Sequence, residues 1–138
     1  MDKEKVIQIL NQALEYEMGS VVKLLHHSFL VFGPGRGPLQ QFLRTRVNDS
    51  ITHATQLGEK ITALGGHPSI NVRVEHAPGE QSIEDMLRED LENEQEAVTL
   101  YRENLDLVAN DVPLDQMFRD IICEEQGHVE EFEKMLRK

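Results

Sequence analysis

A chain of 138 residues is sized for one domain, read as 1–138, with room to bury roughly two-thirds of its unfolded surface. Its net charge of -11 excludes the basic face that nucleic acid or an anionic membrane would need, although an acidic surface serves solubility more often than cation capture. The lone Cys123 excludes a disulfide framework or thiolate cluster, and with no membrane-length apolar run and no signal region after Met-Asp-Lys-Glu-Lys the expected location is cytoplasmic.

With aromatics at 5% and no Trp, the composition favours helices over a sheet. The spacing predicts a first helix over about Lys3–Val31 with Asp2 as its N-cap. Its inward series is Val6, Leu10, Ala13, Glu17, Ser20, Leu24 and His27. The run Gly33-Pro-Gly-Arg-Gly-Pro38 breaks it. A second helix is predicted over about Leu39–Leu64, with Leu43, Val47, Ser50, Ala54, Leu57, Ile61 and Leu64 inward, stopped by Gly65-Gly66 before Pro68. Gly66–Gln81 is the longest non-helical stretch. Ser82-Ile-Glu-Asp85 then opens a third helix as a capping box with Asp in place of Glu. Ile83, Leu87, Asp90, Glu94, Ala97, Tyr101, Leu105 and Val108 point inward along it. Asn110–Pro113 turns the chain into a fourth helix carrying Leu114, Phe118, Ile121, Glu125, His128, Phe132 and Met135.

Helices of about 25 residues are ~37 Å long, which suits a bundle. Short connections make antiparallel pairs of the first with the second and the third with the fourth. The middle connection is long enough to run along the bundle as a crossover, leaving helices two and three parallel.

The inward stripes carry charge. Glu125 and His128, three residues apart, project from adjacent turns of one face, near enough to grip one ion. Glu17 and Glu94 hold the same inward phase on two other helices, and His53 follows Ser50 at the spacing of His128 after Glu125. Buried unpaired, such groups would each cost several kcal/mol. Convergence of Glu17, His53, Glu94, Glu125 and His128 on a metal is therefore expected; buried Glu–His pairs without metal are the alternative. Hard oxygens with imidazoles suit iron or manganese, and zinc lies within range.

A Glu on each of two helices and Glu-x-x-His on the other two is the di-iron carboxylate pattern of ferritin-like bundles. The chain resembles that superfamily, and within it the bacterioferritin branch. The resemblance rests on Glu17 in Leu-Glu-Tyr-Glu-Met, Glu94 in Met-Leu-Arg-Glu-Asp-Leu-Glu-Asn-Glu, Glu-Glu-Gln-Gly-His-Val-Glu at 124–130, and His53-Ala followed by Leu-Gly-Gly-His-Pro68. It implies an all-α, ferritin-like four-helix bundle that binds iron as one or two ions. The implied activity is oxidation of ferrous iron at a mid-bundle di-metal site, for storage or detoxification, in a homo-oligomer of at least two chains. Glu94 and Glu125 would be ligands, His53 and His128 would cap the two metals, and Asp90 and Gln126 would orient the imidazoles.

Three departures qualify this. Ser50 stands where the family has a metal-bridging glutamate, so the three matched carboxylates leave two divalent ions one charge short. Asp49, Asp90 or hydroxide would restore it; otherwise one ion binds well, at Glu94, Glu125 and His128. Ile51 replaces the axial methionine of the family's haem site, so no haem is expected. The sequence ends with the fourth helix, without the short fifth helix of the cage-forming members, and the expected assembly runs from a dimer to a larger cage. Two other functions stand beside the first: a ferritin-like scaffold with a single-metal or metal-free site, and a rubrerythrin-like peroxide reductase. The latter would need another protein as electron donor, since no rubredoxin-type cysteine pair is present. Tyr16 and Tyr101 read as surface or packing residues, His26, His27, His67 and His76 as helix-end, surface or loop residues, Cys123 as a small flanking residue, and Met86, Met117 and Met135 as core filler.

Overall fold

The computed structural model describes residues 1–75 and 79–138, so that His76 lies outside the described residues. The elements are α1 (Lys3–Phe29), α2 (Arg36–Ala63), α3 (Ile83–Glu103), the single turn α4 (Leu105–Val108) and α5 (Val112–Leu136). No strand occurs among the described residues, and none of the helices is long and apolar enough to cross a membrane.

Local chemistry explains the helix ends. The Asp2 carboxylate accepts the Lys5 backbone N–H, and Ser82 and Asp85 form the reciprocal capping box their spacing predicts. Helix α2 starts at Arg36, earlier than Leu39, because Pro38 falls in its first turn, where a missing N–H has no partner to lose. Helix α5 likewise starts at Val112, capped by Asp111. The third predicted helix does not run unbroken to Val108. Asn104 leaves helical geometry (φ -110°, ψ 11°) and its side-chain amide donates back to the Leu100 carbonyl at 2.8 Å, so α4 is a separate turn. Helix α1 stops at Phe29, two residues before the expected end.

The crossover is traced by its contacts with α1. Asn11 bonds the His67 carbonyl and the Ser69 N–H, Ser69 bonds Glu15, and the Arg73 N–H donates to the Glu15 carbonyl. Further on, Gln81 bonds Glu89, which pairs with Lys23 at 3.0 Å. The described residues of the segment thus climb alongside α1 in the same direction. Helix α3 then descends, with Glu89 level with Lys23, Asn93 with Ser20 and Glu96 with Tyr16. Since α2 also runs against α1, α2 and α3 are parallel, as the long connection predicts.

Two apolar cores result. One gathers Leu10, Leu57, Ile61, Tyr101, Leu114 and Phe118 among others; the second gathers Leu24, Leu43, Val47, Leu87 and Phe132. Between them lies a buried polar layer. The inward series hold except where a helix end lacks a neighbour: Ile83 and Met135 are exposed, and Leu64 and Leu105 are half-buried. Met86 is core, whereas Met117 is only half-buried and Met135 is not core filler.

Candidate metal centre

All five expected residues reach the polar layer, each no more than 8% exposed: Glu17 from α1, His53 from α2, Glu94 from α3, and Glu125 and His128 from α5. They form two groups, Glu17–His53–Glu125 and Glu94–Glu125–His128, each offering one ligand atom per residue within 4.8 Å of the others. Glu125 belongs to both. Ser50, also buried, stands beside them on α2, one helical turn before His53.

The two groups differ in how far they satisfy themselves. His53 Nδ1 donates to Glu125 Oε1 at 3.0 Å and lies 3.5 Å from Glu17 Oε1. Burial alone would lower the pKa of this imidazole, but the bonds to Glu125 and Glu17 reverse that and raise it to about 11. Burial raises Glu17 to about 7, against the bond to His53 and reinforced by the nearby charge of Glu125. Glu17 Oε1 also accepts the Tyr101 hydroxyl at 3.0 Å. In the second group, His128 Nδ1 faces Glu125 Oε2 at 3.4 Å and Glu94 Oε2 at 3.7 Å. Both His128 Nδ1 and Glu125 Oε2 are buried without a hydrogen bond. Buried polar atoms are rarely left so, and an electropositive ion between them would satisfy both. Burial would raise the pKa of Glu125, yet the adjacent His128 and His53 pull it below the usual carboxylate range, so it is ionised and ready to share.

Each imidazole turns its other nitrogen to a carboxylate nearer the surface. His53 Nε2 bonds Glu124, and His128 Nε2 lies 3.1 Å from Asp49. These partners fix ring orientation and leave both Nδ1 atoms facing inward. The expected orienters are displaced by them. Gln126 bonds Glu130 on the surface, and Asp90 serves a different imidazole: His27, fully buried and not a surface residue, places Nδ1 2.9 Å from Asp90 Oδ1. Asp90 is thus paired with His27 and, like Asp49 behind His128, belongs to neither group. Sequence reasoning misses Glu124 because, at 60% side-chain exposure, it is out of phase with the inward stripe; a carboxylate one residue before Glu125 is its only sequence signal. It also misses Lys23, which is buried against Glu89 and lines a charged groove of about 890 Å³ between α1, the crossover and α3. His26, His67 and Cys123 are exposed, and Tyr16 is half-buried, donating to Glu96.

Comparison with known proteins agrees with this geometry. The ferritin-like domain model matches residues 7–138. Bacterioferritin of Rhodobacter capsulatus is 30% identical, over 96% of this chain and 83% of its own, and that of Brucella melitensis is 28% identical over the same shares. Among solved structures, a ferritin-like diiron-carboxylate protein from Bacillus anthracis superposes with a TM-score of 0.93 at 27% identity, covering 99% of both chains. The structure of R. capsulatus bacterioferritin, described with a metal-free dinuclear site and a haem iron, gives 0.83 at 29% identity over 96% of this chain and 84% of that one. An all-helical bundle with paired carboxylate–histidine groups at its middle, matched along nearly its full length, belongs to the ferritin-like superfamily, beside the bacterioferritins.

Proposed function

We propose that this protein binds ferrous iron at mid-bundle, in two unequal positions that share Glu125, and oxidises it slowly, in iron storage or detoxification. The observation that carries the reading is the unsatisfied pair His128 Nδ1 and Glu125 Oε2, buried 3.4 Å apart beside Glu94. Three strong ligands surround that gap. The Glu17–His53 position is different, because its imidazole is already hydrogen-bonded to Glu125 and an ion must break that bond. The names of the relatives, bacterioferritin and diiron-carboxylate protein, favour iron over manganese or zinc.

Ser50 deepens the inequality. Glu17, Glu94 and Glu125 bring three negative charges to a site where two ferrous ions carry four positive ones. At ~4 Å, two unit charges interact by about 4 kcal/mol at the effective dielectric of a protein. Removing one intervening carboxylate therefore weakens the second ion by orders of magnitude. Oxidation takes one electron from each ferrous ion, and two ions with two protons reduce hydrogen peroxide from solution to two waters. Dioxygen accepts two electrons in the same way and yields peroxide. A position that is often empty makes either two-electron step slow. Ile51, exposed on α2, offers no axial sulfur, so haem is not part of this reading. The exposed apolar residues of α1 and α2 support an assembly of at least two copies.

Anaerobic ferrous titration followed by oxygen or peroxide tests the site. The native protein should show one tight and one weak equivalent per chain, and Ser50→Glu two tight ones with faster oxidation. Ser50→Ala should change little. Equal, full occupancy of both positions in the native protein, or a large loss of activity in Ser50→Ala, defeats the reading. A metal-free scaffold would take up no iron in any of the three, and the self-satisfied Glu17–His53–Glu125 cluster is what keeps that second reading in view.

A further inference from the structure

We infer that Tyr101 is a positioning residue for Glu17, its hydroxyl holding that carboxylate in place when an ion takes the neighbouring imidazole; this rests on the two-position reading above. Tyr101 is 1% exposed, and its ring packs edge-on against Phe118 at 5.2 Å and 83°. A buried phenol needs a partner for its hydroxyl, and here the partner is Glu17 Oε1 at 3.0 Å. The same oxygen lies 3.5 Å from His53 Nδ1. Glu17 is therefore held from two sides, by α3 through Tyr101 and by α2 through His53.

An ion held by Glu17, His53 and Glu125 would take the lone pair of His53 Nδ1 and end that contact. The Tyr101 hydroxyl is then the remaining donor that fixes a long, flexible carboxylate side chain. A neutral donor suits the task, because it orients the carboxylate without placing a positive charge beside the incoming cation. The arrangement is one-sided. Tyr101 follows Glu94 by seven residues, and the equivalent residue after Glu17 is Leu24, which has no donor to offer Glu94. The anchor thus serves the position that Ser50 leaves short of a carboxylate.

The chain contains two tyrosines and no tryptophan, so the near-ultraviolet spectrum reports Tyr101 against a single background residue, Tyr16. Zinc is a suitable probe because it is redox-inert and adds no ligand-field absorption of its own. Filling the weaker position of the native protein with zinc should perturb the tyrosine band, and Tyr16→Phe should retain that change while Tyr101→Phe loses it. Tyr101→Phe should also weaken the second zinc equivalent roughly ten- to hundredfold and leave the first unchanged, the range for losing a partner that orients a ligand. Equal weakening of both equivalents, or of neither, overturns the inference while leaving the two-position reading intact. If Tyr101→Phe does not fold, the native spectrum decides alone, and a tyrosine band unmoved by the second equivalent overturns it. A native protein that takes up no zinc overturns the two-position reading and this inference with it.

Discussion

His53 and Glu17 form a candidate metal position whose titration bears on the proposed binding. His53, held at about 11, keeps its proton through neutral pH, so an ion entering beside it must displace that proton. Glu17, raised to about 7, is ionised above that value and protonated below it. Above about pH 7 an ion therefore releases one proton from this pair, and below it two, so affinity rises with pH by about one decade per unit above and about two below. Calorimetry in buffers of different ionisation enthalpy counts the protons directly. A proton count for the weaker position that does not change across this range would contradict the assignment. The candidate ligand set is legible in the sequence, because Glu125 and His128 share a helix and their spacing is local. The roles of the outer carboxylates Glu124 and Asp49 are not. Their partners lie on other helices, 71 residues away for Glu124 and 79 for Asp49 by residue number, and the exposed Glu124 and half-buried Asp49 are out of phase with the inward stripes. His27 stands on the inward stripe of α1 yet is grouped with the helix-end histidines, because its partner Asp90 lies on α3 and only the fold brings the two together.

At the scale of elements, the crossover depends on one residue that offers no side chain. A Cβ at Gly19 would lie 2.0 Å from the Arg73 carbonyl oxygen, so the crossover backbone rests directly on α1 at this point. Beside it the Arg73 N–H reaches the Glu15 carbonyl, and the Arg73 guanidinium lies 5.0 Å from the centre of the Tyr16 ring. Gly19→Ala must push the crossover segment outward, which we expect to cost about 1–3 kcal/mol despite the better helix propensity of Ala. Gly58 lies in the interior of α2, and a Cβ placed there would meet nothing within 4 Å, so Gly58→Ala should stabilise by about 0.4–1 kcal/mol. Thermal unfolding of the pair reads the contrast, and Gly19→Ala at or above the native midpoint would refute the close approach. The four long helices and the crossover are readable from period and breakers, because a repeated apolar stripe records its own burial. The break at Asn104 is not, since one Asn in a helical pattern signals nothing until its side chain turns back on Leu100.

At the scale of the whole molecule, the bundle closes over its polar layer yet leaves apolar side chains on the outside. Val22 and Phe29 of α1 are 45% and 52% exposed, and Ile51 of α2 is 47% exposed. Val22 and Phe29 are seven residues apart and so share a face of α1, and Arg44 of α2 lies over the Phe29 ring, 5.8 Å from its centre, so α2 flanks that face. Single exposed apolar residues are ordinary, but three on two paired helices suit a surface that a partner would cover. A net charge of -11 opposes association of two copies over most of the surface and leaves this apolar strip as the favourable place for contact. We expect the chain to sediment as a dimer or larger, well above the 15.8 kDa of one copy. Val22→Asp and Ile51→Asp place charge among these apolar residues without touching the buried candidate ligands, and each should shift the population toward monomer while leaving the proposed tight metal equivalent in place. A native protein that sediments as a monomer at micromolar concentration, or variants that assemble as well as the native chain, would remove this surface from the assembly.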